Sequence, residues 1–383
     1  MNYFSFPNKS PSFLFFFILF FLFNSCQGHS LREVEVMTYN IENLFDLEHD
    51  IGKRDWEYLP KEFLGKKENC QKIRSRRYRK KCLESDWTLE RLNLKLSQIK
   101  KVFFSKKKKR PEILALVEIE NDRVIKLLAK ELGYSDWIVS RSPDKRGVDV
   151  ALLYNESQAF KKLRSREHIL KGSYFKKRPT RNILEGQFLI NGKYKLLVFV
   201  NHWPSQANPT GSRLKAAELL KDIIEKRQKE EANQGILAVG DFNILDYENP
   251  NPIKNILFKI KGFQDVHKIF MKDPSISQKE KNKMPLGTYF YPPKREWNRF
   301  DRIFVNKFLT NFRRKKGLKL NSSTYEIYNP SFLTTTYYYK KGQENKFSLD
   351  VKGIPYRYNF LANRSNKAGF SDHFPVLVKL RVD

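Results

Sequence analysis

The sequence predicts a layered α/β fold, and three observations support this. Short apolar segments of strand length alternate with amphipathic helical segments along most of the chain. No shift in composition divides the chain, and no internal repeat suggests a solenoid. Of the 383 residues, 40% are hydrophobic and 14% are aromatic, a content that excludes a disordered chain. We therefore expect a single domain over residues 27–383.

Each predicted element follows from its own pattern. A first strand is predicted over Val34–Ile41, and leucines at helical spacing predict a helix over Trp87–Phe104. Further helices are predicted at Asp122–Leu132 and Ser212–Glu231. Short apolar runs predict further strands at Ile113–Val117, Val148–Tyr154, Tyr194–Val200, Ile236–Val239, Arg302–Val305 and Val376–Leu380.

Two segments are predicted to be insertions. The first covers about residues 53–86, and within it Lys66–Lys81 carries nine basic residues against a single acid, Glu68. We expect a loop or an exposed helix there. The second, Thr310–Gly369, is rich in Tyr and Asn and predicts loops and edge strands. For both, a solvated face is the commoner interpretation, and a surface that follows phosphates is the alternative.

The net charge of +31 is the most unusual feature of the composition. Such an excess favours contact with a polyanion, either nucleic acid or an anionic membrane surface. A general compositional bias towards Lys, Asn, Phe and Ile is an equally good explanation. The charge therefore indicates a class of partner without choosing a site.

The amino terminus predicts export. The apolar run Phe13–Phe23 follows Lys9 and is too short for a membrane-spanning helix, which needs about 20 residues, but it suits a secretory signal peptide over residues 1–26. Ser25-Cys26 resembles the end of a bacterial lipoprotein signal, which would make Cys26 a lipidated membrane anchor. Cleavage near His29 is the alternative. We expect the protein at the outer surface, in the periplasm or outside the cell.

Removal of the signal leaves two cysteines, Cys70 and Cys82, inside the basic insertion. Because an exported protein can oxidise such a pair, we predict a local disulfide. The alternative is two unrelated thiols. Zinc binding is disfavoured because two cysteines without nearby histidines cannot supply four ligands.

The chemical signal lies in polar residues that directly follow or precede buried strands. A strand end places a polar side chain at the edge of a sheet, where several such side chains can converge. Taken singly, each motif has a structural explanation, such as a turn or a cap. Together, hard oxygen ligands, two histidines and carboxylates are typical of a divalent-cation phosphoryl hydrolase. The motifs are Tyr39–Asn43, Leu116–Glu118, Asn201–Ser205, Gly240–Asn243, Phe300–Ile303 and Ser371–Pro375.

In this order the motifs resemble the endonuclease/exonuclease/phosphatase superfamily, the DNase I-like proteins, and in particular its exported bacterial nuclease-like branch. The resemblance runs from about Val34 to Leu380. It implies a four-layer α/β sandwich, in which two mixed β-sheets pack face to face with helices outside. It also implies hydrolysis of phosphoric esters with Mg²⁺ or Mn²⁺ as the cofactor.

The resemblance assigns roles to eight residues. Asn40, Glu118 and Asp372 match metal-site positions, whereas Glu120 falls on the opposite face of an extended segment and suits the role less well. The catalytic positions are matched by His202, Asp241, Asn243, Asp301 and His373.

The matched catalytic residues have distinct expected functions. His373 is the expected general base, with Asp301 fixing its tautomer, although orientation of the attacking water is an alternative role. Asp241 would position the attacking water or the leaving oxygen. Asn243 and His202 would donate to phosphate oxygens.

Three further matches are tentative substrate-binding positions. Asp149 would touch substrate or buttress the pocket, and Arg181 would clamp a phosphate or remain an exposed loop arginine. Trp203 would stand beside the substrate, with packing as the more common role for such a residue.

The leading hypothesis is an exported metal-dependent phosphodiesterase, specifically an endonuclease, that acts as a monomer on nucleic acid without a protein partner. A sphingomyelinase or another lipid or inositol phosphohydrolase of the same superfamily is the second hypothesis. The third is a non-catalytic surface lipoprotein that binds polyanions.

Overall fold

The computed structural model describes residue 1 and residues 30–104, 110–338 and 350–383. The predicted signal peptide and Cys26 lie outside the described residues. Within those ranges, no helix has both the length and the apolar character needed to cross a membrane.

The described chain forms sixteen strands and ten α-helices. The strands are β1 (Glu33–Leu44), β2 (Ile113–Ile119), β3 (Asp136–Val139), β4 (Asp149–Tyr154), β5 (Phe160–His168), β6 (Ile183–Ile190), β7 (Tyr194–His202), β8 (Gly235–Asp241), β9 (Gln264–Asp265), β10 (Tyr289–Tyr291), β11 (Glu296–Asn298), β12 (Asp301–Val305), β13 (Leu318–Ile327), β14 (Thr334–Tyr337), β15 (Val351–Pro355) and β16 (Val376–Val382). The helices are α1 (Lys66–Gln71), α2 (Arg76–Glu84), α3 (Leu89–Phe104), α4 (Asp122–Leu132), α5 (Ser173–Lys177), α6 (Thr210–Glu230), α7 (Pro252–Asn255), α8 (Val266–Lys272), α9 (Gln278–Lys281) and α10 (Ser365–Ala368).

Twelve of the strands form two sheets of six. The first sheet has the order β13-β16-β1-β2-β4-β3, and the second has the order β5-β6-β7-β8-β12-β9. Both are mixed, because β1 and β2 are parallel in the first and β7 and β8 are parallel in the second, among antiparallel neighbours. Strands β1 and β2 of the first sheet contact β7, β8 and β12 of the second. The predicted four-layer sandwich is confirmed.

Alternation along the central strands of the second sheet builds two cores. Since successive side chains of a strand point to opposite faces, one set faces the first sheet and the other faces α6. The set in the core between the sheets is Leu196, Val198, Val200, Leu237 and Val239. The set in the core under α6 is Leu197, Phe199, Ile236 and Ala238. Because both faces of these strands are buried, their sequences are continuous apolar runs.

The strand directions bring the polar motifs to one edge of the sandwich. The carboxyl ends of β1, β2, β7 and β8 carry Asn40, Glu118, His202 and Asp241. Strands β12 and β16 run antiparallel to β8 and β1, so that their amino ends lie at the same edge. In the ladder, Asp241 is opposite both His202 and Asp301.

The basic insertion is helical. Helices α1 and α2 are joined by a disulfide between Cys70 and Cys82, whose Cα atoms are 5.5 Å apart. The ammonium of Lys66 is buried beneath them and donates to Leu59 O at 2.6 Å and to Ser85 O at 2.8 Å. The second insertion supplies edge strand β13 and the two-stranded ribbon β14–β15.

Candidate active site

Three side chains from three different strands form the centre of the site. The Nδ2 atom of Asn40 donates to Asp241 Oδ2 at 3.2 Å and lies 3.4 Å from Glu118 Oε1. The hydroxyl of Ser371 donates to the carbonyl of Asn40 at 2.7 Å, which ties the loop before β16 to β1. The amide of Asn40 therefore holds two carboxylates from different sheets close together.

Strained backbone accompanies this arrangement. Glu42, Glu118 and Asn243 have φ angles of 54°, 69° and 52°, in the left-handed region. Such conformations cost free energy in residues other than glycine and cluster at functional sites. At Asn243 the turn lets the backbone N–H donate to Asp241 Oδ1 at 2.9 Å.

His373 and Asp301 form a hydrogen-bonded pair that links the two sheets. His373 Nδ1 lies 2.6 Å from Asp301 Oδ2, and Asp301 is fully buried. The hydroxyl of Thr288 accepts hydrogen bonds from the Asp301 and Phe300 N–H groups, both at 3.1 Å, and so fixes the start of β12. The contact of Nδ1 leaves His373 Nε2 as the nitrogen available for chemistry.

The second histidine faces the same centre. His202 Nε2 lies 3.8 Å from Glu118 Oε1 and 3.9 Å from Asp241 Oδ2. Its backbone carbonyl accepts a hydrogen bond from Arg181 Nε at 3.0 Å, and its buried Nδ1 has no hydrogen-bond partner among the described residues. The ring is well placed to donate to an oxygen that enters between these carboxylates.

The two histidines have opposite protonation preferences. Burial disfavours the charged ring of His373, but the Asp301 carboxylate, assisted by Asp241 and Asp372, outweighs this effect and raises the pKa of His373 well above its usual range. Burial, together with the neighbouring Arg181 guanidinium, lowers the pKa of His202 well below its usual range. The surroundings therefore favour the charged form of His373 and the neutral form of His202.

The negative charge at the centre indicates a site for a cation. Burial, together with Asp301 and Glu118, raises the pKa of Asp241 to about 7, although His373 opposes the shift. Within the described part of the chain, no three His, Cys, Asp or Glu side chains converge as a closed metal cage. The carboxylate of Glu118 nevertheless fits Mg²⁺, which keeps several of its waters and binds through one or two carboxylates. Asn40 turns Nδ2 towards this carboxylate, and its Oδ1 accepts a hydrogen bond from Glu42 N at 3.0 Å.

A cleft of about 830 Å³ adjoins this centre, and Arg181 forms part of its wall. Five other cations line it: Arg54, Lys145, Arg146, Lys177 and Arg178. Its one acidic lining residue, Asp144, is paired with Arg146 Nη2 and Arg181 Nη1, both at 3.2 Å. The buried hydroxyl of Thr180, also on the wall, has no hydrogen-bond partner. The cleft is therefore a cationic extension of the site.

Residues 35–382 match the family model described as the endonuclease/exonuclease/phosphatase family. The chain belongs to this family. It is a family of metal-dependent phosphoesterases. No curated protein sequence matches the chain significantly.

Solved structures show the same fold at low identity. Truncated TDP2 from Caenorhabditis elegans superposes with a TM-score of 0.51 at 15% identity, over 91% of this chain and 98% of that one. A mannosyl-6-phosphatase from Bacteroides thetaiotaomicron gives 0.50 at 15%, over 91% and 99%. The human Nocturnin catalytic domain with bound sulfate gives 0.51 at 14%, over 93% and 97%. These likenesses establish the fold of the family and leave the substrate open.

The sequence-predicted residues do not all reach the centre. Asn40, Glu118, His202, Asp241, Asp301 and His373 are joined there by the contacts described above. Asn243 borders it and donates through Nδ2 to Trp203 O at 3.2 Å. Asp372 lies 4.0 Å from His373 Nε2 and 3.7 Å from Arg357 Nη2, so that an arginine competes for its carboxylate.

Two tentative substrate-binding residues are corrected by the structure. Trp203 is fully buried, packs against Phe242 and donates from its indole to Asn201 Oδ1, so it belongs to the core. Asp149 is buried, and its Oδ1 accepts hydrogen bonds from Ser140 Oγ, Ser142 Oγ and Ser142 N, so it buttresses a loop.

The structure excludes one of the two expectations for Arg181. It is buried, so it is no exposed loop arginine, and its guanidinium donates to the carbonyls of His202 and Trp203 and to Asp144. Because these contacts occupy three of its five donors, it has at most two left for a phosphate.

Sequence reasoning missed a charged cluster beneath Asp372. Glu42 accepts hydrogen bonds from the N–H groups of Asp372 and Tyr358 at 3.0 and 2.9 Å, and its other oxygen pairs with Arg357. Lys95 lies underneath and donates to the carbonyls of Glu42 and Phe370, both at 3.2 Å. Burial and Asp372 raise the pKa of Glu42 to about 7, and burial lowers that of Lys95 to about 8.

The positions of these two residues in the sequence could have indicated them. Glu42 follows Asn40 by two positions in β1, and alternate residues of a strand lie on the same face. Lys95 lies three residues after Leu92 and four before Ile99, on the apolar stripe of α3. A lysine on an apolar stripe must satisfy its ammonium against carbonyls or acids.

Proposed function

We propose that this protein is a divalent-metal-dependent phosphodiesterase that cleaves nucleic acid. The observation that carries the proposal is the cationic cleft, whose wall residue Arg181 donates to the backbone carbonyl of His202. A phosphomonoesterase needs to hold one phosphate, whereas a nucleic-acid strand presents further phosphates on either side of the scissile bond. Among the described residues, Arg54, Lys145 and Arg178 have no carboxylate within ion-pair distance, and these cations suit the additional phosphates.

In this proposal each residue of the centre has a separate role in phosphodiester hydrolysis. Glu118 would hold the metal ion, with Asp372 nearby, and Asn40 would orient the Glu118 carboxylate. A bound Mg²⁺ or Mn²⁺ supplies a Lewis acid that stabilises the developing charge on the phosphoryl group. His202 Nε2 donates to a phosphate oxygen, and Asp241 orients the attacking water.

His373 moves the proton. Its Nε2 accepts the proton of the attacking water while Asp301 holds Nδ1, a task that requires the neutral ring. The carboxylates that raise the pKa of His373 are neighbours of the proposed metal site. We therefore expect a bound cation to offset their charge and to bring this pKa back towards the range useful for a general base.

The test uses the purified chain without its predicted signal, supplied with labelled single- and double-stranded DNA and with RNA. We expect cleavage that EDTA abolishes and that excess Mg²⁺ or Mn²⁺ restores. Internal cleavage of circular DNA would identify an endonuclease. Turnover of sugar phosphate monoesters without cleavage of any nucleic acid would overturn the proposal.

A lipid phosphohydrolase is the second candidate, and one feature favours it. The ribbon β14–β15 contacts β10, and Tyr289 of β10 lies 4.9 Å from the ring of His373. At the end of β14, Tyr338 is 69% exposed. An aromatic residue on a ribbon near the catalytic histidine could enter a membrane interface. Release of phosphocholine from sphingomyelin vesicles, compared with cleavage of plasmid DNA, decides between the two candidates.

We further propose that the protein is exported and acts outside the cytoplasm. The apolar Phe13–Phe23 segment and the oxidisable pair Cys70 and Cys82 support this location. Mass analysis of the amino terminus of the mature protein distinguishes an acylated Cys26 from cleavage near His29. An intact amino terminus in a cytoplasmic fraction would contradict export.

A further inference from the structure

The disulfide-linked insertion forms a second cationic surface outside the catalytic cleft. We define the insertion surface as the exposed side chains of Lys67, Lys72, Arg74, Arg76 and Arg77 on and between α1 and α2. Lys67, Arg76 and Arg77 project from the two short helices, and Lys72 and Arg74 lie between them. The inner sides of the helices are held by the Cys70–Cys82 disulfide and the buried Lys66. The disulfide therefore fixes the relative positions of the helices that carry these cations.

Acidic partners for this surface are scarce. Among the described residues, Lys80 pairs with Glu84 at 3.7 Å and Lys81 with Glu57 at 2.5 Å. Within the same residues, no carboxylate lies within ion-pair distance of any of the five cations of the insertion surface. A structural salt-bridge network therefore does not explain them.

The arrangement on α2 works against helix stability. Arg76 and Lys80 are four residues apart, as are Arg77 and Lys81, so that like charges adjoin on the outer face. Such pairs destabilise an isolated helix. A ligand that brings negative charge to this face would relieve the repulsion.

The insertion borders the catalytic cleft. Arg54 lines the cleft, and its N–H donates to Lys145 O at 2.7 Å. The chain then passes through Glu57, the partner of Lys81, and Tyr58, which lies close enough to sense the charges of Glu118 and Arg146. The insertion therefore begins directly after a residue of the cleft wall, Arg54.

We propose that the insertion surface binds the phosphate backbone of nucleic acid beside the catalytic centre. This inference rests on the proposed function and adds to it a distinct binding surface for long substrates. Contacts to successive phosphates are independent of sequence and release counterions, so that they increase affinity most at low salt. A substrate too short to reach the insertion gains nothing from it.

The test compares two triple variants that lose the same net charge. Arg74→Gln, Arg76→Gln and Arg77→Gln alter the insertion surface. Lys161→Gln, Lys162→Gln and Arg166→Gln alter exposed positions on β5, at the edge of the second sheet. Binding to a DNA duplex long enough to span both surfaces is measured against salt concentration in a background inactivated by His373→Gln.

We expect the insertion variant to bind more weakly and to lower the slope of log affinity against log salt by about 2 to 3, as the loss of three phosphate contacts requires. The β5 variant should keep the slope of the parent. With His373 intact, hydrolysis of a small diester, bis(p-nitrophenyl) phosphate, should be equal in all three proteins. Circular dichroism and retention of the disulfide check that the variants are folded.

Equal slopes in the two triple variants would overturn the inference, and so would an insertion variant that loses binding only to anionic phospholipid vesicles. Because binding is measured without turnover, the result does not depend on cleavage. If the protein binds duplex DNA through the insertion but cleaves no nucleic acid, the proposed function is refuted and the inferred binding surface is still supported.

Discussion

At the scale of single residues, identical side chains acquire different properties from their surroundings. The buried Asp301 carboxylate raises the pKa of His373, whereas burial and nearby arginines lower the pKa of His202. The difference is set by residues distant in sequence, so the histidines alone do not reveal it. In the proposed mechanism, the first ring accepts the proton of water and the second donates a hydrogen bond to phosphate.

Substitution of either member of the His373–Asp301 pair, the catalytic dyad, should abolish most of the activity. We expect His373→Gln to lower kcat for bis(p-nitrophenyl) phosphate by roughly 10²- to 10⁴-fold, because a positioned acid or base contributes about this much. Asp301→Asn should lower kcat in the same range, since it leaves the ring with the wrong tautomer. Steady-state kinetics with saturating Mg²⁺ measure both effects.

His168 provides the matched control. Its Nε2 lies 2.7 Å from Glu185 Oε2, a similar histidine–carboxylate pair, but it is at the end of β5 and outside the centre. His168→Gln should leave kcat within a factor of about two, since the residue touches no reacting group. Equal losses in His168→Gln and His373→Gln would contradict the assignment.

Asp149 should make stability depend on pH. Burial raises its pKa to about 6, although hydrogen bonds from Ser140 and Ser142 oppose this. The folded protein therefore holds a proton that the unfolded chain loses near pH 4, and the free energy of unfolding falls as pH rises from about 4 to 6. Asp149→Asn keeps an Oδ1 acceptor and removes the buried charge. The variant should gain stability relative to the parent across this window, by up to about 3 kcal/mol above it.

Thermal unfolding at several pH values measures this difference. Asp222→Asn, at an exposed position of α6, is the control and should show no such trend. A constant difference between Asp149→Asn and the parent from about pH 4 to 7 would show that the buried carboxyl titrates normally in the folded state.

At the scale of elements, hydrophobic periodicity predicted the buried strands and long helices and failed at exposed edges. Helix α4 has the predicted bounds, and β1 extends three residues beyond its predicted end. Strand β5 was missed because seven of its nine residues are exposed or half-buried polar side chains, as an edge strand permits. Strand β6 was missed because Glu185, Gly186 and Gln187 interrupt its apolar pattern, although all three are buried.

The helical insertion should depend on its disulfide. Helix α1 has six residues, too few to be stable alone in water. The cross-link closes a short loop, and its loss should destabilise the insertion by about 3 kcal/mol. Trypsin cuts after Lys and Arg, so cleavage within Arg74–Lys81 reports on local opening.

We expect slow cleavage of the oxidised protein and rapid cleavage after reduction or in Cys82→Ser. Cys70→Ser should behave like Cys82→Ser, since either change removes the same bond. The rest of the chain should remain resistant in all samples. Cleavage at equal rates with and without the cross-link would show that Lys66 and packing suffice to hold the helices.

At the scale of the whole molecule, the order of motifs predicted the fold and most of the centre, because strand ends in a layered fold converge at one edge. The network around Glu42 could not be predicted in the same way. Its partner Arg357 is 315 residues away, in an insertion with weak periodicity. The burial of Trp203 likewise depends on Phe242 and on the turn after β7, neither of which a local pattern describes.

The dyad draws its histidine from the loop before β16 of the first sheet and its carboxylate from β12 of the second. Asn40 and Asp241 also meet across that division. Sliding one half of the sandwich by about 1 Å would misplace the reacting groups and could cost a hundredfold in rate while every strand stayed intact. The turnover rate is therefore more sensitive to the relative position of the two sheets than a circular dichroism spectrum, which reports only on the backbone.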